Sequence, residues 1–169
     1  MAFALSSGMA GAQGAESQEA RNAISVDLLA PLLQLAFNIS LSGSSAVPIE
    51  ISYQRVVADN FVFNAEARVI YTTSVGLFDL SPWVEVDWHP FDRGLSGIFI
   101  GPALSFDFSL NLFNSFYCGL GGSLGYQLLL PLNIDLVAIS GITYGLEFFK
   151  QSTIFRPSLR LEIDLGYRF

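Results

Sequence analysis

The chain has 169 residues, enough for one domain of ordinary size, and 51% of them are apolar against 14% charged. Fifteen Asp and Glu against eight Lys and Arg make it acidic, which argues against nucleic acid as a partner, because phosphate binding needs clustered basic side chains. No window holds eighteen consecutive apolar residues, so a transmembrane helix is excluded too.

The amino terminus, MAFALSSGMAGAQGAESQEA, is rich in Ala, Gly and Ser and then turns polar. It reads as the remnant of a secretory signal with Ala10-Gly11-Ala12 as an A-x-A cleavage site, or as a disordered leader. Residues 1–21 are therefore set apart from one domain spanning 22–169. Within that domain eight strands are predicted, at 24–41, 47–57, 61–73, 77–88, 97–110, 116–129, 133–148 and 156–169. SGSS, ADN, HPFDRG, LPLN and KQST lie between them as turn signals. In the first element the apolar phase changes at Ala30-Pro31, which predicts a bulge or two short strands. Cys118, the lone cysteine, reads as a small apolar strand residue.

The last strand, RLEIDLGYRF, shows the alternation most plainly. Leu161, Ile163, Leu165, Tyr167 and Phe169 share one face, while Arg160, Glu162, Asp164 and Arg168 share the other. The same division runs through 61–73, where Asn64, Glu66 and Arg68 oppose Phe63, Ala65, Ala67 and Val69. In 77–88, Glu85 and Asp87 oppose Val84, Val86 and Trp88. A soluble barrel needs long charged side chains outside and apolar ones inside. Here the polar faces are short or Gly-rich and the apolar faces carry large aliphatics and aromatics, which suits a narrow polar lumen inside a lipid-facing wall. An open sheet in hydrocarbon would leave edge N–H and C=O groups unsatisfied, so the sheet must close. The fold class expected is all-β: a closed, eight-stranded, antiparallel transmembrane β-barrel with up-and-down topology and both termini on the periplasmic side.

The carboxyl-terminal strand also resembles the insertion signal of outer-membrane barrels, with Leu165, Tyr167 and Phe169 in phase at the chain end. ISYQRVVADNFVFNAEARV and VDWHPFDRGLSGIFIGPALSF are similar to a family of small outer-membrane barrels of unknown function. That family is related in architecture to the amino-terminal barrel of outer membrane protein A and to the small adhesion and invasion barrels. The resemblance, over 22–169, implies residence in outer-membrane lipid and insertion by the barrel assembly machinery.

An acyl hydrolase would need a nucleophile, a His base and an orienting carboxylate within reach of one another. The single histidine, His89, stands beside Pro90 at a strand end, with Asp87 and Ser81 on the same strand face. It reads as an interfacial turn residue, so no catalytic residues are expected. Eleven acids fall on inner faces: Asp27, Glu50, Glu66, Asp79, Glu85, Asp87, Asp107, Asp135, Glu147, Glu162 and Asp164. Only Arg68, Arg160 and Arg168 are expected beside them. No loop has the ligand spacing of a Ca²⁺ or Mg²⁺ site, so neither metal nor cofactor is expected.

The hairpin SYQRVVADNFVFNAEARV predicts a three-residue turn at 58–60, with Val57 facing Phe61 and Glu50 facing Arg68 inside. Two functions follow. One is a structural or surface-interaction barrel whose envelope or host ligand is unknown. The other is a narrow channel passing small solutes or cations through the acidic lumen, for which Gly119, Gly121 and Gly125 would leave space.

Overall fold

The computed structural model describes residues 21–29, 31–32, 46–72, 77–91, 95–110 and 115–169. The strands are β1 (Asn22–Asp27), β2 (Ala46–Ala58), β3 (Phe61–Thr72), β4 (Leu77–Trp88), β5 (Gly97–Leu110), β6 (Ser115–Leu130), β7 (Ile134–Phe148) and β8 (Thr153–Arg168). Each pairs antiparallel with its sequence neighbour and β8 pairs with β1, giving a closed up-and-down barrel. The pairs Arg168–Ala23, Ala23–Gln54, Gln54–Asn64, Asn64–Glu85, Glu85–Ala103, Ala103–Gly121, Gly121–Thr143 and Thr143–Ser158 form one circuit. It returns to β8 ten residues from its start, a stagger that tilts eight strands by roughly 40°.

Two local expectations are corrected. The predicted first strand, 24–41, leaves the sheet at Asp27. The Asp27 carboxylate accepts the Leu29 N–H at 2.8 Å, and the Leu32 N–H donates to the Leu28 carbonyl at 3.3 Å. A carboxylate two residues before a free N–H starts a helical turn, and Pro31 tolerates that turn while lacking the N–H a strand needs. Residues 33–41 lie outside those described. In the β2–β3 hairpin the inner pairs stand as expected: Glu50–Arg68, Ser52–Glu66 and Gln54–Asn64. The turn, however, is Asp59-Asn60, with Ala58 opposite Phe61 and a bulge between Val56 and Ala58. One extra residue at Val57 absorbs the odd count, so the register above it is unchanged.

Burial alternates along β7 and along β8 from Phe155 on. The buried phase is charged at Arg160, Glu162, Asp164 and Arg168 of β8, while in β7 it holds Asp135 and Thr143 together with Val137, Ile139 and glycines. Asn64, Glu66, Glu85, Asp87, Glu162 and Asp164 are buried, while Ile49, Ile51, Ile100, Leu104, Leu120, Leu124, Leu159 and Leu161 are exposed. Two apolar clusters close the lumen toward the end that carries Asn22 and Phe169. One joins Ala23, Val62 and Leu95 with Val56 against them; the other joins Phe99, Val137 and Ile139.

The space expected beside the glycines is filled. A Cβ at Gly125 would lie 2.2 Å from the Phe99 ring, and one at Gly119 would lie 2.2 Å from the Tyr117 hydroxyl. Trp83 reaches across the lumen to Gly141, where a Cβ would meet the indole at 3.2 Å. Large inward rings facing residues without side chains pack the interior closely.

Candidate functional site

The centre of the lumen holds a charge network carried on β2, β3, β4 and β8. Strand pairing sets Glu50 against Arg68, and the Arg68 Nε is ion-paired with Glu50. Arg68 Nη2 reaches Glu162 Oε1 on β8 at 2.6 Å. Arg160, two residues before Glu162 on the same inner face, contacts three carboxylates. Its Nη2 pairs with Glu66, its Nη1 with Glu85 at 3.0 Å, and its Nε with Glu162 at 2.5 Å.

Neutral groups hold the carboxylates in place. Asn64 Nδ2 donates to Glu85 Oε1 at 2.7 Å and Trp83 Nε1 donates to Glu85 Oε2 at 3.0 Å. The Arg160 guanidinium lies over the Trp83 ring, 5.2 Å from its centroid. Glu162 thereby links both arginines, and β2, β3, β4 and β8 are cross-tied through the interior. Removing water from such charges is costly unless nearly every polar atom is paired, and most here are.

Six expected lumen residues therefore form one network: Glu50, Glu66, Arg68, Glu85, Arg160 and Glu162. The other three stand apart. Arg168 pairs with Asp135 at 2.9 Å, and Gln127 joins that pair by donating to Asp135 at 3.1 Å and to Gln54 at 2.8 Å. Asp87 is buried, with its Oδ1 unpartnered beside Gly101. Among the described residues, Asp164 has only the Ser25 hydroxyl at 3.4 Å on Oδ2, and its Oδ1 is buried without a partner.

A fourth inward arginine was missed. Arg156 pairs with Glu147 and with Asp107 at 3.3 Å, and lies 4.5 Å from the centroid of Tyr117. Its phase with Arg160 along β8 was the available signal. Trp83, Phe99 and Tyr117 were missed because large rings on a polar face looked out of phase. Their counterparts in register or reach are glycines, and that pattern could have found them.

His89 is buried at the lumen's closed end, with Nδ1 2.7 Å from the Ser96 carbonyl and its ring 5.4 Å from that of Phe99. Ser81 lies eight residues away along β4, roughly 26 Å at strand rise. The strand therefore does not bring Ser81 to His89. Leu165, Tyr167 and Phe169 are exposed on the outer face of β8 and at its end.

No family model matches the chain, and no curated protein matches it. Among solved structures, a "Bacterial polysaccharide outer membrane secretin" is similar at 10% identity with a TM-score of 0.44. The match covers 88% of this chain and 65% of that one, so the chain spans about two thirds of that protein's length. A likeness that loose assigns nothing.

Proposed function

We propose that this chain is an integral outer-membrane barrel with a structural or surface-interaction role and no enzymatic activity. One observation carries the reading: the charged residues of the described strands are inside, with Arg55 near the hairpin end of β2 the exception, and the surface around the strands is aliphatic and aromatic. An apolar belt of that extent goes well beyond the few hundred Å² usual on a soluble monomer.

Aromatic residues flank the belt. Tyr53, Phe61, Trp88, Tyr126, Tyr167 and Phe169 are exposed toward the end with the termini; Tyr71, Phe108, Phe148 and Phe155 are exposed toward the other. Phe61 and Tyr71 stand ten residues apart on β3, roughly 25 Å along the axis of a barrel tilted by about 40°. That height suits the apolar band of an outer-membrane barrel. The outer edge formed by Leu165, Tyr167 and Phe169 suits recognition by the barrel assembly machinery.

The packed lumen favours anchoring over transport. Phe99, Tyr117 and Trp83 fill the sector in which a channel needed space, and Arg160 crosses the middle. The test is fractionation followed by electrophoresis with and without boiling. A membrane-bound, heat-modifiable band supports the reading, and a detergent-free monomer in buffer overturns it. In planar bilayers the barrel should not conduct; reproducible cation-selective openings would favour the channel instead.

A further inference from the structure

The central network does not balance its own charge. Glu50, Glu66, Glu85 and Glu162 bring four carboxylates, while Arg68 and Arg160 bring two guanidinium groups. With all six ionised the cluster carries two uncompensated negative charges, in an interior where uncompensated charge is expensive.

The geometry and the unsatisfied atoms converge on the same place. Glu50, Glu66 and Glu162 each offer a carboxylate oxygen, and those oxygens lie within 4.8 Å of one another. Oxygens bound to one Ca²⁺ at 2.3–2.6 Å can stand up to about 5 Å apart, whereas Mg²⁺ at about 2.0–2.1 Å draws them closer. Glu50 is 4% exposed, and Arg68 occupies only its Oε2; its Oε1 is buried without a partner. Asp164, 1% exposed, has Glu162 and Glu50 as its foremost charged neighbours and likewise holds a buried, unpartnered Oδ1.

We propose that the lumen binds one Ca²⁺ through Glu50, Glu66 and Glu162, with Asp164 beside them. Oxygen donors alone select a hard cation, and one divalent ion cancels the excess charge of the six-residue network. Arg68 holds Glu50 Oε2 and Glu162 Oε1, and Arg160 holds Glu162 Oε2 and Glu66 Oε2. The ion therefore takes Glu50 Oε1 and shares carboxylate oxygens of Glu66 and Glu162 through their remaining lone pairs. The ligands stand on β2, β3 and β8, so the ion would tie the two sides of the short β1 together. Sequence spacing could not reveal such a site, because its ligands lie up to 112 residues apart and meet only when the barrel closes.

The experiment uses the full chain, folded in a neutral detergent and stripped with a chelator. Equilibrium dialysis against radioactive Ca²⁺ at constant ionic strength measures stoichiometry, and urea unfolding with and without CaCl₂ measures stabilisation. One saturable Ca²⁺ per chain is expected, with a higher unfolding midpoint and a smaller response to Mg²⁺. Glu50→Gln keeps the side-chain shape and should weaken binding by about tenfold or more, since affinity follows ligand charge. Asp59→Asn, in the hairpin turn, should leave binding unchanged. Absence of stoichiometric binding to the native chain at millimolar Ca²⁺ would overturn the proposal, whatever the variants do. So would Ca²⁺ binding that Glu50→Gln leaves intact.

Discussion

Glu50 and Arg68 stand directly opposite each other on β2 and β3, and their side chains are ion-paired inside the barrel. A slip of two residues would set Glu50 against Glu66, so charge and pleat select the same register. Arg68 also holds Glu162, which makes it a bridge from the hairpin to the last strand.

Arg68→Ala therefore strands two buried carboxylates. The barrel should lose about 3 kcal/mol, the lower part of the range for breaking a buried pair, because Arg68 retains some exposure. Urea unfolding in lipid vesicles, followed by tryptophan emission, measures the loss. Adding Glu50→Gln should recover part of it by removing one of the stranded charges.

Tyr117 lies over Gly119, with its hydroxyl 3.1 Å from Thr143 Oγ1 and Arg156 against its ring. All three of the nearest atoms to a Cβ at Gly119 belong to that tyrosine side chain. Gly119→Ala should cost about 1–3 kcal/mol by overpacking. In a Tyr117→Ala background the same change should cost little, giving a clear coupling energy in a double-mutant cycle.

Leu104 and Ser105 are neighbours near the middle of β5 that face opposite ways. Leu104 is exposed, while Ser105 is buried with its hydroxyl 2.6 Å from that of Thr143. Leu104→Arg should cost about 2–4 kcal/mol in a bilayer, as expected for a cation near the midplane. Ser105→Asn should be milder, because an amide can still bond Thr143. A harmless Leu104→Arg together with an unfolded Ser105→Asn would mean that the two faces had been exchanged.

Deleting Phe169 should reduce barrel assembly in cells while leaving refolding of purified protein into detergent largely intact. The side chain is exposed at the end of the outer face, so its loss removes little packing. Membrane-inserted protein, compared by heat-modifiability with the native chain, checks the outcome.

Much of this fold was legible because alternation writes burial directly into a strand. Asp164 and Leu165 needed only parity to be assigned to opposite faces, and the Glu50–Arg68 register needed the hairpin's parity together with charge. The end of β1 was less legible, because an Asp27 cap and a Pro31 turn compete with an apolar run that reads equally well as strand. The candidate site was legible only as a set of inward charges. That Arg160 would gather three glutamates, while Arg168 turned instead to Asp135, depends on barrel stagger and side-chain reach. Trp83 was hidden for a related reason: a ring on a polar face is sensible only once Gly141 is known to lie across from it.

The chain's two tryptophans offer the most direct test of a barrel with lipid outside and charge within. Trp83 is 6% exposed and bonded to Glu85, whereas Trp88, five residues along β4, is 46% exposed on the outer face. Trp83→Phe and Trp88→Phe each leave a single reporter, which can be refolded into vesicles of lipids brominated along the acyl chain. Trp88 emission should be strongly quenched and Trp83 emission only weakly. Strong quenching of Trp83 with Trp88 spared, or no quenching of either, would contradict the account.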